Sequence, residues 1–370
     1  MAAPVAAATS MATASLDLTE VERRLAAAIA ASPTRTRAST LNLICSAESD
    51  DEARALAGEL ATLARRHPGR MLLIVPALAG GDQAAREWRA RILDAGTPAP
   101  GGGICGEIVQ LEAAGTALLS ASMALAPLLL GDVPVFLWWR GEDPFANPRF
   151  DDLAGIADRI LLDCHGLACE PAAFLRLAES QRQLHHRAKV SDLTWTRLAR
   201  WRQMVAQAFE SSAAARHMRC LTEAEFESSR GLPALNGAAL LLAGWLTARL
   251  GWRPTRRLSA AELELTTPQG GALRMRFRRG EREDSGFLLG SVALRSGEGL
   301  AATVTRSGDK IKLDLQSGEA ALARSTVIYP MATLIDALRF ELDHLHPDPC
   351  GEQAAVAAAE LMRVLGNAPA

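Results

Sequence analysis

The stretch Leu128–Phe145, "LLLGDVPVFLWWRGEDPF", decides the fold. From Ala117 to Trp139 the chain is almost wholly apolar, a length that suits a membrane span. Paired tryptophans followed by an arginine would suit the edge of one. The punctuation inside the stretch argues against a span. Pro127, Gly131 and Pro134 interrupt it, and proline both removes a backbone donor and clashes with the preceding helical turn. Gly131-Asp132 reads as a turn, and Asp132 deep in a bilayer would cost roughly 2.5–3.5 kcal/mol. The segment therefore parses as a mostly buried helix over Gly115–Leu130, a turn, and a strand over Val133–Trp138. A short strand that is apolar on both faces is a central parallel strand covered by helices above and below.

The same texture extends outward. Thr19 and Glu22, then Ser49 and Glu52, have the spacing of capping boxes; each precedes an apolar stripe at helical period. Thr40–Cys45, Met71–Val75, Ile104–Leu111 and "RILLD" (Arg159–Asp163) read as strands. Trp88–Ile92 fits a strand or a short helix. Strands alternating with helices at this spacing predict a mostly parallel three-layer α/β sheet. From Glu170 to about Leu250 the pattern is helical. Asp192 is a plausible N-cap, followed by a stripe of Trp195, Leu198, Trp201, Val205 and Phe209. A second apolar helix runs Leu240–Trp252 and ends at Gly251.

After Pro254, Ser-Gly pairs at 296, 307 and 317 separate alternating stretches, the mark of an antiparallel meander. Two helices close the chain, one carrying Met331, Leu334, Ile335, Leu338 and Leu342, the other from about Gln353 to Leu365. The expected organisation is a disordered tail (1–16), an α/β domain (17–185), a helical connector (186–253) and an α+β domain (254–370).

The net charge of −2 gives no global pull toward nucleic acid or acidic membranes. Six scattered cysteines in a chain this long do not make a disulfide scaffold. The opening residues lack the basic and apolar regions of a secretory signal, so the expectation is a cytoplasmic protein with reduced thiols, no cofactor and no metal.

Chemistry-bearing motifs are few. "GGGICG" (Gly101–Gly106) has the letters of a dinucleotide fingerprint, but it leads into a strand rather than opening a helix, and reads as a flexible loop. No phosphate-binding P-loop occurs. "CHGLAC" sets Cys164, His165 and Cys169 at the carboxyl end of a strand, where α/β sheets keep ligand sites. The spacing does not suit zinc, leaving idle thiols or a Cys164/Cys169 redox pair. His185-His186-Arg187 fits an anion contact or a solvated turn. The ladder Arg274, Arg276, Arg278 lacks the interleaved aromatics of single-strand readers and reads as a solvated face or a protein contact. No paired catalytic carboxylates or Ser-His-Asp set emerge from spacing.

Three blocks in order carry a resemblance. Asp132, Pro134, Val135, Trp138 and Trp139, with Ala157, Asp158 and Arg159 behind them, form the first. "DLTWTRLARWR" (Asp192–Arg202) is the second and "WLTARLGW" (Trp245–Trp252) the third; "CGE" (Cys105–Glu107) agrees as well. Together they resemble the glucose-6-phosphate dehydrogenase assembly proteins, the OpcA family, over residues 17–365, most densely before 255. The resemblance implies a non-enzymatic partner that binds glucose-6-phosphate dehydrogenase and favours its active oligomer or conformation. Candidate contacts are Trp138, Trp139, Arg140 and Asp143. On a strand the two indoles point to opposite faces, so one is core and the other reaches a partner or a packed helix. Arg140 either presents its donors to a carboxylate or phosphate or pairs internally with Glu142 or Asp143; the loop Arg140–Pro148 should be exposed and fairly rigid. The rival is a sugar-phosphate or nucleotide enzyme with its site near Cys164 and His165.

Overall fold

Residues 17–30, 39–76, 88–95, 106–140, 143–164, 175–176, 188–281, 288–328, 333–344 and 348–366 are described by the structure, a computed structural model. The expectations for the tail 1–16, for Gly101–Cys105, and for His165, Cys169, His185-His186-Arg187 and Met331 lie outside those residues. The chain divides into two compact units, 1–160 and 161–370, where the sequence reading set bounds at 185 and 253.

In the first unit, α1 (Leu18–Ala30), β1 (Leu41–Ser46), α2 (Asp50–Ala64), β2 (Gly69–Pro76), β3 (Arg89–Ala95) and β4 (Glu107–Ala113) follow in order, and β5 (Val135–Trp138), α4 (Pro148–Ala154) and β6 (Arg159–Leu162) come later. The strands are ordered β3-β4-β2-β1-β5-β6. β4, β2, β1 and β5 are parallel neighbours, and β3 is antiparallel on the edge. Every residue of β1 and of β5 is buried, so the two-sided apolar pattern does mark central strands. Ser49 caps α2 by accepting the Glu52 amide at 3.3 Å. α1 is capped two residues earlier than expected, by Asp17 accepting the Glu20 amide at 2.7 Å.

The helix expected over Gly115–Leu130 is instead three short pieces: a 3-10 turn Gly115–Ser120, α3 (Ala121–Leu125) and a 3-10 turn Ala126–Leu128. Nor is it mostly buried, since Leu119 and Met123 are 53% and 79% exposed. Tertiary partners claim its backbone. Asp152 accepts the Ser122 amide at 2.7 Å, and Pro127 has no amide to give. The Asn42 side chain donates to the Leu130 carbonyl at 2.9 Å and accepts the Leu130 amide at 2.8 Å. Arg70 donates to the Leu128 carbonyl. Asn42 thereby anchors the Gly131-Asp132 turn, in which Asp132 is the one non-glycine residue with positive φ (63°) among the described residues.

In the second unit, β7 (Lys189–Asp192) feeds α5 (Leu193–Arg197), α6 (Ala199–Gln207), α7 (Ser212–Ala215) and β8 (Leu221–Ser228). The expected single helix after Asp192 breaks at Leu198, because the Trp195 carbonyl accepts from the Arg202 guanidinium and from the Leu198 amide in a tightened turn. Its stripe is buried as predicted: Trp195, Leu198, Trp201, Val205 and Phe209 all lie in the core. α8 (Gly237–Leu250) ends at Gly251, and α9 (Leu334–Asp343) and α10 (Pro349–Gly366) close the chain.

β9 (Arg253–Ser259), β10 (Glu262–Thr266), β11 (Ala272–Arg278), β12 (Leu289–Ser296), β13 (Leu300–Ser307), β14 (Lys310–Ser317) and β15 (Ala320–Ile328) form the second sheet with β8. Its order is β15-β14-β13-β12-β8-β11-β10-β9. Eight residues of the stretch read as helical thus form a strand, β8, that enters between β12 and β11 and runs parallel to β11. The meander is split there. Alternation along β8 (Leu221, Ala224, Phe226 buried) supports a one-sided strand, but it sits inside a helix-rich context that hid it. The arginine ladder stands on the polar face and is paired: Arg274 and Arg276 with Glu262 at 3.2 and 2.9 Å, Arg278 with Glu225 at 3.3 Å. Cross-strand pairing of this kind neutralises the face.

Candidate functional site

The first place to look is set by topology. The chain leaves β1 toward β2 on one side and returns to β5 on the other, so the carboxyl ends of β1 and β5 flank a switch point, where open α/β sheets bind ligands. A helix start facing that crevice ordinarily favours anions. Here α2 begins with Asp50, Asp51 and Glu52, and no glycine lies between Ser46 and Ser49 to let a phosphate approach the backbone. Glu52 accepts the Glu48 amide at 2.8 Å through Oε2. Its Oε1 takes Arg140 Nε at 3.0 Å and Nη2 at 2.9 Å. The Arg140 amide donates to Ser46 Oγ at 3.0 Å, and its guanidinium lies over the Trp138 ring, 4.8 Å from the centroid. Side chains of this chain therefore span the crevice and fill the anion position with carboxylates.

Of the two alternatives left open for the outer indole, a partner or a packed helix, the structure shows the packed helix, Pro148–Ala154. Trp138 and Trp139 are 0% and 3% exposed, so neither indole reaches outward. Trp139 packs edge-on against Phe150 at 5.3 Å under the Arg149 guanidinium. Both faces of β5 are covered, which is why alternation leaves no outward indole. Arg140 does form an internal ion pair, with Glu52; Glu142, one of the neighbours named from sequence, lies outside the described residues. Asp143 caps a 3-10 turn, Pro144–Ala146, by accepting the Phe145 amide at 3.0 Å. The loop after Trp139 is partly core: Pro144 is buried, and Phe145 meets Phe150 edge-on at 5.4 Å. Cys45, beneath Arg140, has its thiol pushed up to about 12 by burial, against the lowering effect of the Arg140 charge.

The second place lies in the second unit. Cys164 is fully buried, and burial, followed by the Asp192 charge, pushes its thiol well above the ordinary value. Such a thiol is protonated and unreactive. It packs on the first residue of α8; a Cβ at Gly237 would lie 2.5 Å from Cys164 Sγ. Asp192 caps α5, accepting the Thr194 amide at 2.8 Å, and also takes the Cys164 amide at 3.3 Å. Burial first, and the nearby Asp163 charge second, raise its carboxyl from 3.8 to about 7.

Beside Asp192 is a cavity of about 20 Å³ lined by Asp192, Trp195, Leu241, Glu341, Asp348 and Glu352, among others. Trp195 fixes one side of it. Its Nε1 donates to Asp348 Oδ2 at 2.9 Å, Arg202 stacks on its ring at 3.5 Å, and Gly351 leaves room for it, since a Cβ there would lie 2.8 Å from Nε1. Burial alone would raise Asp348, but the Trp195 indole, the Cys350 amide and Arg202 outweigh it and hold the carboxyl below its ordinary value. Glu341 accepts from Thr196 Oγ1. Among the described residues no group of His, Cys, Asp or Glu is placed to hold a metal ion.

Sequence reasoning singled out Asp192 and Trp195 as cap and core, and missed that they meet Glu341, Asp348 and Glu352 around one cavity. The signal was present in the second motif block only as the residues Asp192, Trp195 and Arg202; their carboxylate neighbours lie more than 130 residues further along the chain.

The two units define a class: a parallel α/β unit with a self-filled switch point, followed by an α+β unit on an eight-stranded sheet. Two domain models, described as the glucose-6-phosphate dehydrogenase subunit N-terminal and C-terminal domains, match residues 60–179 and 188–355. The chain belongs to that family, the OpcA glucose-6-phosphate dehydrogenase assembly family. It is 29% identical over 192 residues to an OxPP cycle protein OpcA of Nostoc punctiforme, a match covering 52% of this chain and 40% of that one. With the namesake of Synechococcus elongatus it shares 26% over 199 residues, covering 52% and 43%. The matches therefore span less than half the length of those relatives. Among solved structures it is similar to the transcriptional regulator Gal80p of Kluyveromyces lactis (TM-score 0.45, 9% identity, 89% and 88% covered). It is also similar to an oxidoreductase of Thermotoga maritima (TM-score 0.47, 6% identity, 87% and 95% covered). No helix among the described residues is long and apolar enough to cross a membrane.

Proposed function

We propose that this chain is a non-catalytic partner of glucose-6-phosphate dehydrogenase in the oxidative pentose phosphate pathway, favouring the active oligomer or conformation of that enzyme. Membership of the assembly family over both matched segments supports the choice of partner. The observation that carries the non-catalytic part is the switch-point crevice: the place where a sheet of this layout would seat a nucleotide is spanned by the Arg140–Glu52 ion pair, and the adjoining helix begins with three acidic residues. A phosphate entering it would have to break that ion pair and face Asp50, Asp51 and Glu52. In this reading Trp138, Trp139 and Arg140 brace the segment leading to Asp143 rather than touch the partner themselves. The rival enzyme site near Cys164 is disfavoured, because a buried thiol with a raised pKa offers no nucleophile.

Activation requires that the chain bind the active form of the dehydrogenase more tightly than the inactive one; equal affinity would shift nothing. A difference of about 1.4 kcal/mol moves the balance about tenfold. The test mixes the purified chain with the cognate dehydrogenase. A co-eluting complex in size-exclusion chromatography, with a lower KM or a higher Vmax, is the expected result. Unchanged kinetics at saturating chain, with no complex, refutes the proposal.

A further inference from the structure

We infer that the cavity beside Asp192 is a binding site for a primary ammonium group. Four carboxylates line it: Asp192, Glu341, Asp348 and Glu352. One of them has an unsatisfied buried oxygen. Asp192 is 7% exposed, and its Oδ2 is buried without a hydrogen-bond partner; the neighbouring Cys164 thiol is at best a weak donor. Glu352 makes no ion pair among the described residues. An unpaired buried carboxylate oxygen is costly, and an occupant with several donors relieves that cost.

Size and shape choose the donor. A cavity of about 20 Å³ holds about one water-sized body. That room favours a compact ammonium head over a guanidinium, a quaternary ammonium or a nucleotide. An –NH₃⁺ group is water-sized and carries three donors and a full charge. Trp195, Leu241 and Ala355 in the same wall offer apolar surface to the methylenes behind it. The carboxylates do not converge as a metal set, which separates an ammonium from a divalent cation. The amine can be a free small molecule or the lysine of a protein partner, since both present the same group.

The test uses the full chain. Its melting temperature is followed in n-butylammonium chloride, tetramethylammonium chloride and sodium chloride at equal ionic strength. Butylammonium alone should raise it, saturably, and the rise should vanish in Glu352→Gln and in Asp192→Asn. If Asp192→Asn does not fold, Glu352→Gln decides. An equal rise in tetramethylammonium, no rise in butylammonium, or an undiminished rise in Glu352→Gln overturns the proposal. These outcomes do not depend on any dehydrogenase partner, so the site stands or falls apart from the proposed function. Where the first arm succeeds, a second names the source. Butylammonium that weakens the dehydrogenase complex by about tenfold or more, roughly 1.4 kcal/mol, assigns a partner lysine; an unaffected complex assigns a free amine.

Discussion

Asp192→Asn should make the protein more stable at neutral and alkaline pH, and less so as the pH falls. Asp192 holds its proton up to about pH 7 in the folded chain, because burial and the Asp163 charge disfavour its ionised form; in the unfolded chain it releases it near the ordinary 3.8. Between those values the folded state binds more protons than the unfolded one, so stability is lost as pH rises through 7. At about 1.4 kcal/mol per pH unit, the interval from 3.8 to about 7 is worth at most about 4 kcal/mol. Asparagine caps a helix about as well as aspartate, so the Thr194 bond survives the change. Near pH 4 parent and variant should therefore unfold alike. By pH 8 the variant should be the more stable by up to about 4 kcal/mol. Other groups facing the carboxyl, namely Asp163, the Cys164 thiol, Glu341 and Asp348, are common to both chains and cancel in the comparison. Urea unfolding at half-unit steps from pH 4.5 to 8, followed by tryptophan fluorescence in amine-free buffer, gives the difference directly. A gap that stays flat across the series refutes the protonated, unpaired Asp192.

Arg140→Ala removes both bonds to Glu52 and the cover over Trp138, and should cost about 1–2 kcal/mol in chemical denaturation; an unchanged midpoint would show that it braces nothing. Gly244→Ala places a Cβ 2.2 Å from the Ala354 carbonyl oxygen of α10, backbone that cannot step aside, so melting should fall by an amount corresponding to about 3 kcal/mol. Arg70→Met removes the cation whose Nε reaches the buried Glu107 carboxylate at 2.7 Å, and should cost about 3–5 kcal/mol at neutral pH by thermal or urea unfolding. Under native conditions iodoacetamide should label the exposed Cys220 and spare the buried Cys45 and Cys164; peptide mass mapping that finds Cys164 modified would revive it as a reactive site.

The fold was legible where one physical signal dominated. Two-sided apolar strands between turn residues located β1, β2 and β5, and the heavy punctuation of Pro127, Gly131 and Pro134 correctly outweighed the hydropathy of a span. It was illegible where a long-range partner overrides a local pattern. Asn42 and Arg70 take the carbonyls at Leu130 and Leu128, and nothing in the sequence near those carbonyls announces it. β8 was hidden differently: its eight residues alternate, yet the helices on both sides supplied the stronger period. For the site, sequence could name Arg140 as an ion-pair former but not its partner, because Glu52 is 88 residues away and is brought beside it only by the parallel pairing of β1 with β5. The same limit hid the cavity, whose carboxylates come from β7, α9 and the start of α10.

Two buried charged residues show how structure and site can be told apart on physical grounds. Arg70 is 2% exposed, but it is saturated: Glu107 and Glu22 take its charge, and the Leu128 carbonyl takes a further donor. A buried ion whose charge is met by two carboxylates gains little from any additional ligand, and its role is to fix which elements meet. Asp192 is nearly as buried, but only Oδ1 is engaged, the nearby Asp163 charge disfavours its ionised form, and the space beside it is large enough for one more small group. Folding alone would be better served there by asparagine, which caps the same helix without a charge to bury. Keeping the carboxylate costs the free protein stability above pH 7, and a bound cation is what would return it, because ion pairing restores the ionised form that burial disfavours. The saturated charge belongs to the architecture of the first unit, and the unsaturated one marks where the second unit meets another molecule.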